Sequence, residues 1–482
     1  MADLRTLTRG VATVTSARFL GLIFTMVQVK LTLTHLGEGD YGRLSTVTLM
    51  ISLFAGLSEL GIGSVIVRRV AAEGRDLQRE VGVSLALTLV LMAPTVLVLM
   101  GVSVLLYHAT PVVIFGMGVL AIGMLATMWA TCFNPVAQVT HRFGYYAAAD
   151  FVGRILSLGV ILMIIHWDGR LRWFFLAQLM VPIGQFIAMS LLGRSAGSFR
   201  PVWDRARIVA LVHEALPITY LLAIGVTYFT IDGILLSKLA TFDEVGAYNF
   251  SYRTVGAATI IATSISNVLA ARLSAVAAES PERFSRAVSR ALRFTGLVAA
   301  PFAAFVTPIA ADIIRFLGTE SMVPLAQVPM SLLAVAIAIG MLSSVLSTAV
   351  IACYRQGVLV RLNTVTLAIN IVLNIILIPR LQATGAAIAL VVTEALGFSV
   401  VLFVLASRTR GSFPLRAFGL LVIPIVACLG LGELLADVHW VIRLGAMCAA
   451  YAALVLGLRI TTMDEVRQLT KRRGHADQVA NA

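Results

Sequence analysis

Charged and polar side chains inside long apolar runs are the residues of this sequence that could do chemistry. A charge at the centre of a bilayer costs about 2.5–3.5 kcal/mol on insertion scales, so such a group should face a hydrated cavity or a partner. Guanidinium and ammonium groups in such a cavity bind anions, phosphate among them. The candidates to line a substrate cavity are Arg18, Lys30, Arg253, Ser264, Asn267 and Arg272.

Carboxylates in the same apolar runs could carry a proton or another coupling ion, or form ion pairs. Asp150 and Arg154 stand four residues apart. Oppositely charged side chains at this spacing meet on one helix face, which favours an intrahelical pair. The candidates for coupling or ion pairing are Glu59, Asp150, Arg154, Asp232 and Glu394.

Three of these carboxylates have alternatives that the sequence leaves open. Glu59 could be protonated, could carry a coupling proton, or could pair with Lys30 and lock a conformation. Asp232 could pair with Arg253 on the following helix. Glu394 could be a coupling site or a buried polar contact. H⁺ and Na⁺ are the possible coupling ions, and no other cofactor is expected.

The composition indicates a membrane protein. The chain has 482 residues, of which 59% are hydrophobic and 13% charged, and its mean hydropathy is +0.93. Soluble domains are only about 45–50% apolar. The formal charge of +13 would suggest nucleic acid in a soluble protein. Here the basic residues occupy short loops between apolar runs, so they report topology and no nucleic-acid partner is expected. The four cysteines are isolated, which indicates neither a metal site nor a disulfide framework.

Apolar runs of about 20 residues define the predicted membrane spans. Basic residues concentrate in alternate loops, as in Arg68, Arg69, Arg75 and Arg79 after the second run. This asymmetry predicts an even number of crossings with both termini in the cytoplasm. The fourteen predicted segments are 11–36, 41–67, 81–107, 112–139, 144–166, 172–194, 213–238, 244–275, 286–317, 322–353, 358–379, 383–406, 413–435 and 439–459.

A polar connection near mid-chain and a repeated turn divide the chain into two lobes. DYG at 40–42 and EVG at 244–246 each precede a helix that enters from outside, about 200 residues apart, which is the span of one half. The predicted parts are a six-helix lobe at 1–195, a cytoplasmic linker at 196–212, a second six-helix lobe at 213–408, two extra membrane helices at 409–460 and a cytoplasmic basic tail at 461–482.

Several short motifs carry a family resemblance. They are LGEGDYG at 36–42, IDGILL at 231–236, EVGAY at 244–248, NIVLNIILIP at 370–379 and TGAAIA at 384–389. In this order they resemble the bacterial polysaccharide-biosynthesis membrane proteins, the O-antigen-type flippases. The resemblance implies the multidrug/oligosaccharidyl-lipid/polysaccharide exporter fold, in which two six-helix bundles alternate between inward-open and outward-open states. Family members move undecaprenyl-diphosphate-linked sugars from the inner to the outer leaflet of the cytoplasmic membrane.

With this resemblance, the polar residues of the eighth segment become candidates to contact the substrate. The eighth segment has residues at three- and four-residue steps that predict a polar stripe on one helical face. They are Arg253, Gly256, Ile260, Ser264 and Asn267. Arg253 could bind the substrate anion or extend to the outer headgroups.

Other intramembrane residues have a competing explanation in topology or packing. Arg18 lies about two turns inside the cytoplasmic boundary and could receive a diphosphate, or could be an ordinary cytoplasmic charge. Arg272 is better explained by topology. Asn370 and Asn374, four residues apart, are expected to join helices by hydrogen bonds.

Other functions compete with the flipping of lipid-linked oligosaccharides as explanations of this sequence. An ion-coupled exporter of drugs or organic cations shares the fold, but arginines in the interior favour an anionic ligand over a cation. The peptidoglycan lipid precursor flippases also share the fold that the resemblance implies, but their characteristic arginine pattern does not occur near the start of this sequence. No paired-carboxylate, metal or glycine-rich phosphate motif occurs in a sizeable loop, so no enzyme activity is expected. Expected partners are the lipid-linked substrate, membrane lipids and glycosyltransferases or polymerases, around a monomer in the inner membrane.

Overall fold

The computed structural model describes residues 4–59, 61–140, 142, 144–353, 356–409 and 415–458. These residues form fifteen α-helices and no β-strand. The helices are α1 (Leu4–Ser58), α2 (Ile62–Glu73), α3 (Leu77–Tyr107), α4 (Pro111–Thr131), α5 (Asn134–Val139), α6 (Gly144–His166), α7 (Leu171–Ala196), α8 (Arg205–Leu239), α9 (Phe242–Gly256), α10 (Thr259–Glu279), α11 (Pro281–Leu317), α12 (Val323–Ala352), α13 (Gln356–Thr409), α14 (Leu415–Leu434) and α15 (Trp440–Gly457).

The predicted membrane spans are helical over most of the described residues. Nine helical stretches there are long and apolar enough to cross a membrane. Two of them, Leu20–Glu73 and Gly357–Ala406, each hold two predicted segments. Helix α1 is broken at Gly37 (φ 74°, ψ 176°) and α13 at Gln382 (φ 51°, ψ −131°), which separates the segments. The prediction of an all-α, multi-pass membrane protein is confirmed.

Three predicted segments are each divided into two helices. The second segment divides at Gly61, whose left-handed backbone (φ 59°, ψ 9°) ends α1 before α2 begins. The fourth divides ahead of Asn134, and Pro135 occupies the first turn of α5, where its missing N–H costs no hydrogen bond. The eighth divides between Gly256 and Thr259, so the polar stripe predicted for one helix is distributed over α9 and α10.

The described chain forms two compact units, residues 1–246 and 247–482. The first unit includes α8, which packs on α1, α2 and α3. Its core lies around α4 and α7, where Met117, Phe174 and Phe175 are almost completely buried. A Cβ added to Gly116 would lie 2.5 Å from the Phe175 ring, so glycine allows the two helices to approach closely. The predicted linker at 196–212 and the six-plus-six division stay predictions.

The two turns that the sequence identified as a repeat are in direct backbone contact. A Cβ on Gly42 would lie 1.8 Å from the Phe242 carbonyl oxygen and 3.0 Å from the Gly246 nitrogen. Reciprocally, a Cβ on Gly246 would lie 2.5 Å from the Glu38 carbonyl oxygen and 3.4 Å from the Gly42 nitrogen. At each glycine, therefore, the backbone of the other turn occupies the space that a side chain would need.

The second unit is organised around α12, which packs against α10, α11 and α13. Leu333, Val345 and Leu346 on this helix are fully buried. Because α12 is apolar on all sides, it can be surrounded by other helices instead of lipid. It therefore forms the centre of the second unit.

Candidate functional site

Arg154 on α6 is the centre of a half-buried polar cluster in the first unit. Its Nε donates to Asp150 Oδ2 at 2.8 Å, and its Nη1 donates to both Thr25 Oγ1 and the Gly21 carbonyl oxygen on α1. Gln28 Nε2 donates to the Arg154 carbonyl oxygen at 2.8 Å. The predicted Asp150–Arg154 ion pair is therefore present, and it also fixes α1 against α6.

The cluster extends to α7 and remains accessible. Gln185 Nε2 donates to Asp150 Oδ1 at 3.4 Å. The side chains of Arg154 and Asp150 are 27% and 22% exposed, so neither charge is sealed in the core. A Cβ added to Gly21 would lie 3.1 Å from Arg154 Nε, so glycine at this position lets the guanidinium reach α1. An entering anion would compete with Thr25 and Gly21 for the guanidinium, which offers a way to exchange a structural contact for a ligand.

Three predicted cavity residues have side chains outside the described part of the structure. Arg18 belongs to α1, one turn before Gly21, and Asn267 and Arg272 belong to α10. Their proposed roles stay predictions.

Lys30 lies on α1 and Glu59 directly follows its last residue, Ser58, but the structure records no salt bridge between these two residues. Lys30 precedes the break at Gly37 by 7 residues, whereas Glu59 follows it by 22. At about 1.5 Å per residue, their distances from the break along the helix axes differ by about 20 Å. Glu59 instead lines a small cavity of about 90 Å³ together with residues that include Ser84 and Gln138.

The predicted residues of the second unit occupy separate places. Arg253 is half-buried in the last turn of α9, whereas Ser264 is exposed on α10, where its Oγ donates to the Ile260 carbonyl oxygen at 2.8 Å. The Glu394 carboxylate lies against α12, since a Cβ added to Gly340 would be 3.4 Å from its Oε2. The break between α9 and α10 is the reason that Arg253 and Ser264 do not share one helical face.

Buried polar groups elsewhere match simpler expectations. Asp232 is 3% exposed on α8 in the first unit. Its predicted pairing with Arg253 stays a prediction. Asn374 Nδ2 donates to Asn370 Oδ1 at 3.1 Å, and Asn370 Nδ2 donates to Thr393 Oγ1 at 3.5 Å across the break in α13. The amide pair thus joins two helical segments, as its spacing predicts.

The sequence did not identify a buried ionic cluster around Arg69. This side chain is 1% exposed, and its NH1 donates to Glu80, also 1% exposed, at 2.8 Å. Its NH2 and Nε donate to the two carboxylate oxygens of Glu214 on α8, at 2.7 and 3.3 Å. The loop charge pattern explains Arg69 by topology alone. It follows Ile62, Val65 and Ile66 at helical spacing on the buried face of α2, and this spacing was the available signal.

The Arg69 cluster joins three helices at the end of the unit predicted to face the cytoplasm. Arg68 NH2 also donates to Glu214, at 2.7 Å. Arg207 on α8 lies 3.5 Å from Glu80 Oε1. Both buried charges therefore have opposite charges around them, which is the condition under which buried ions are tolerated.

Long apolar helices with a few partnered charges inside them define a multi-pass membrane protein, and comparison with solved structures shows its fold. The lipid II flippase MurJ, in an inward closed conformation, has a TM-score of 0.75 at 13% identity, over 93% of this chain and 98% of that chain. An inward-facing multidrug resistance MATE family transporter of the MOP superfamily has a TM-score of 0.64 at 12% identity, over 83% of this chain and 99% of that chain. A MOP superfamily transporter from Pyrococcus furiosus has a TM-score of 0.61 at 13% identity, over 86% of this chain and 99% of that chain.

Family models define the membership. The model described as polysaccharide biosynthesis protein matches residues 7–274, more than half of the chain, and the MatE model matches residues 217–376. The chain belongs to the polysaccharide biosynthesis protein family. A comparison with curated protein sequences gives no significant match. The resemblance stated from the short motifs is confirmed, and the chain is a flippase-type membrane transporter.

Proposed function

We propose that the protein moves undecaprenyl-diphosphate-linked oligosaccharides from the inner to the outer leaflet of the cytoplasmic membrane, for the synthesis of a surface polysaccharide. The observation that carries this proposal is the family match over residues 7–274. Both termini lie in the cytoplasm in this proposal, as the arginine-rich loops predict.

The intramembrane charges support an anionic substrate. Arg154 is only half-buried, and two of its present partners, Thr25 and Gly21, are neutral groups that a diphosphate oxygen can replace. Charge-assisted hydrogen bonds from a guanidinium to phosphate are stronger than those to neutral acceptors. Arg18, one turn before Gly21, and Arg253 are the other candidate contacts for the diphosphate.

Reconstitution into vesicles that contain a fluorescent diphosphate-linked oligosaccharide lipid tests the proposal. We expect leaflet transfer by the wild type, and a loss of about tenfold or more with Arg18→Ala, Arg154→Gln or Arg253→Ala, since a hydrogen bond to a charged group contributes about 1.5–3 kcal/mol. Arg380→Gln is the matched control, because this exposed arginine belongs to a predicted outer loop. Undiminished transfer in all three variants would refute the cavity assignment.

The same vesicle experiment tests the two alternative functions. The MatE match at residues 217–376 favours testing the export of an organic cation. The likeness to a lipid II flippase favours testing a peptidoglycan lipid precursor. Export of the cation without transfer of any diphosphate lipid would overturn the proposed function, and transfer of the peptidoglycan precursor alone would replace its substrate.

A further inference from the structure

A cavity of about 880 Å³ opens in the first unit where the break in α1, the start of α4 and the loop between α6 and α7 meet. The charge pattern predicts that this end faces outside. The volume lies within the range of about 300–1,000 Å³ that is usual for ligand sites. Prominent among the lining residues are His35, Phe115, Asp168, Arg170, Arg172 and Trp173.

Two guanidinium groups in this cavity have hydrogen-bond donors to offer. Among the described residues, the structure records no ion pair for Arg170 or Arg172, whereas the nearby Arg43 is paired with Asp40. The guanidinium carbon of Arg172 lies 5.8 Å from the centroid of the Phe115 ring. A contact with the ring face orients a guanidinium while its N–H groups remain available to an anion.

The loop that carries both arginines is held in place by hydrogen bonds. His35 Nε2 donates to the Gly169 carbonyl oxygen at 3.0 Å. The Gly169 and Asp168 N–H groups donate to the carbonyl oxygens of Ile164 and Ile165, at 2.8 and 3.1 Å, which ends α6 with Asp168 in the left-handed region (φ 50°). The arginines therefore follow a fixed turn, so a ligand would not have to order the loop.

Asp168 supplies an acceptor beside these donors. Its side chain is fully exposed, and its Oδ1 lies 3.8 Å from His35 Nε2. A cavity with one accessible carboxylate and two guanidinium groups that have no ion pair with the described residues fits a phosphate that has a hydroxyl or ammonium group next to it.

Exposed tryptophans indicate the depth of the cavity in the membrane. Trp167 and Trp173 flank the loop and are 70% and 57% exposed. Tryptophan is enriched at the level of the lipid headgroups, where its ring is partly apolar and its N–H can reach water. The ligand that meets this cavity is accordingly at headgroup level.

We propose that this cavity binds the phosphate of a lipid headgroup on the outer side of the membrane. Arg170 and Arg172 donate hydrogen bonds to the phosphate oxygens, and Asp168 accepts from the hydroxyl or ammonium group beside them. The phosphate belongs either to a resident glycerophospholipid or to a lipid diphosphate delivered by transport. Only the second source rests on the proposed function.

Binding is tested by native mass spectrometry of the full chain in maltoside micelles, which carry no phosphate. Phosphatidylglycerol and undecaprenyl diphosphate are added in separate experiments. We expect Arg170→Gln/Arg172→Gln to bind at least one of these lipids about a hundredfold more weakly than the wild type, because two charge-assisted hydrogen bonds are lost. Arg380→Gln is the control for an exposed outer arginine that does not line the cavity.

The outcomes distinguish the two sources of the phosphate, a resident lipid and a delivered one. They also test this inference separately from the proposed function. Selective loss of phosphatidylglycerol identifies a resident lipid, and selective loss of undecaprenyl diphosphate identifies a delivered one. Both readouts are binding, so they do not depend on leaflet transfer. Equal retention of both lipids by the double variant and the wild type would overturn the inference. Displacement of both lipids by inorganic phosphate at the same concentration would also overturn it, because the site would then recognise the free anion.

Discussion

Alanine at Gly42 should separate the two turns that the sequence repeats. The added Cβ would lie 1.8 Å from the Phe242 carbonyl oxygen. An ordinary contact begins at about 3.4 Å, so the two backbones would have to move apart by about 1.6 Å. Because the obstacle is backbone, no side-chain rotation relieves it. Overpacking costs about 1–3 kcal/mol and sometimes more, and we expect about 3 kcal/mol here.

Disulfide cross-linking measures this separation directly. A Cβ on Gly39 would lie 3.8 Å from Asp243 Cγ, the position that a cysteine sulfur would take, so Gly39→Cys/Asp243→Cys should form a disulfide in a chain without its native cysteines. Adding Gly42→Ala should slow this cross-link strongly and lower the thermal unfolding midpoint. Gly101→Ala is the control, because a Cβ at Gly101 meets nothing within 4 Å.

Two results would refute the reasoning about Gly42. The first is an unchanged rate of cross-linking in the Gly42→Ala background. The second is an unfolding midpoint equal to that of Gly101→Ala. Either result would mean that the contact between the turns relaxes at little cost.

The two charged clusters give the remaining predictions. Glu80→Gln removes one of the two carboxylates around buried Arg69, which keeps Glu214, and should destabilise the protein by about 1.5–3 kcal/mol in thermal or denaturant unfolding. Glu73→Gln, which breaks only an exposed pair, should cost less than about 1 kcal/mol; equal effects would contradict the role of burial. For Asp150→Asn and Arg154→Gln, a double-mutant cycle should give a coupling energy of about 1 kcal/mol, and strict additivity would show that the pair contributes nothing.

Periodicity and local spacing predicted much of the fold. The fourteen apolar segments are helical in the described residues, because a chain that crosses hydrocarbon must satisfy its backbone hydrogen bonds within each segment. Pairs four residues apart were equally predictable: Asp150 meets Arg154, and Asn374 meets Asn370. Helix geometry alone places such residues together.

Contacts between helices were not available from the sequence. Lys30 and Glu59 looked like neighbours on adjacent helices, but their positions relative to Gly37 differ by about 20 Å along the helix axes. Arg69 looked like a topology charge, yet the fold buries it between two carboxylates. In both cases the deciding quantity is the depth and rotation of one helix against another.

The sequence by itself determined a multi-pass helical membrane protein, its spans, its family and its local ion and amide pairs. The tertiary structure decided where the helices break, that Gly42 and Gly246 meet, and that Arg170 and Arg172 line a cavity. The physical reason is the distance along the chain over which each effect acts. Hydropathy and helical spacing act within one segment, whereas a cavity or a buried charge depends on side chains brought together from distant parts of the chain.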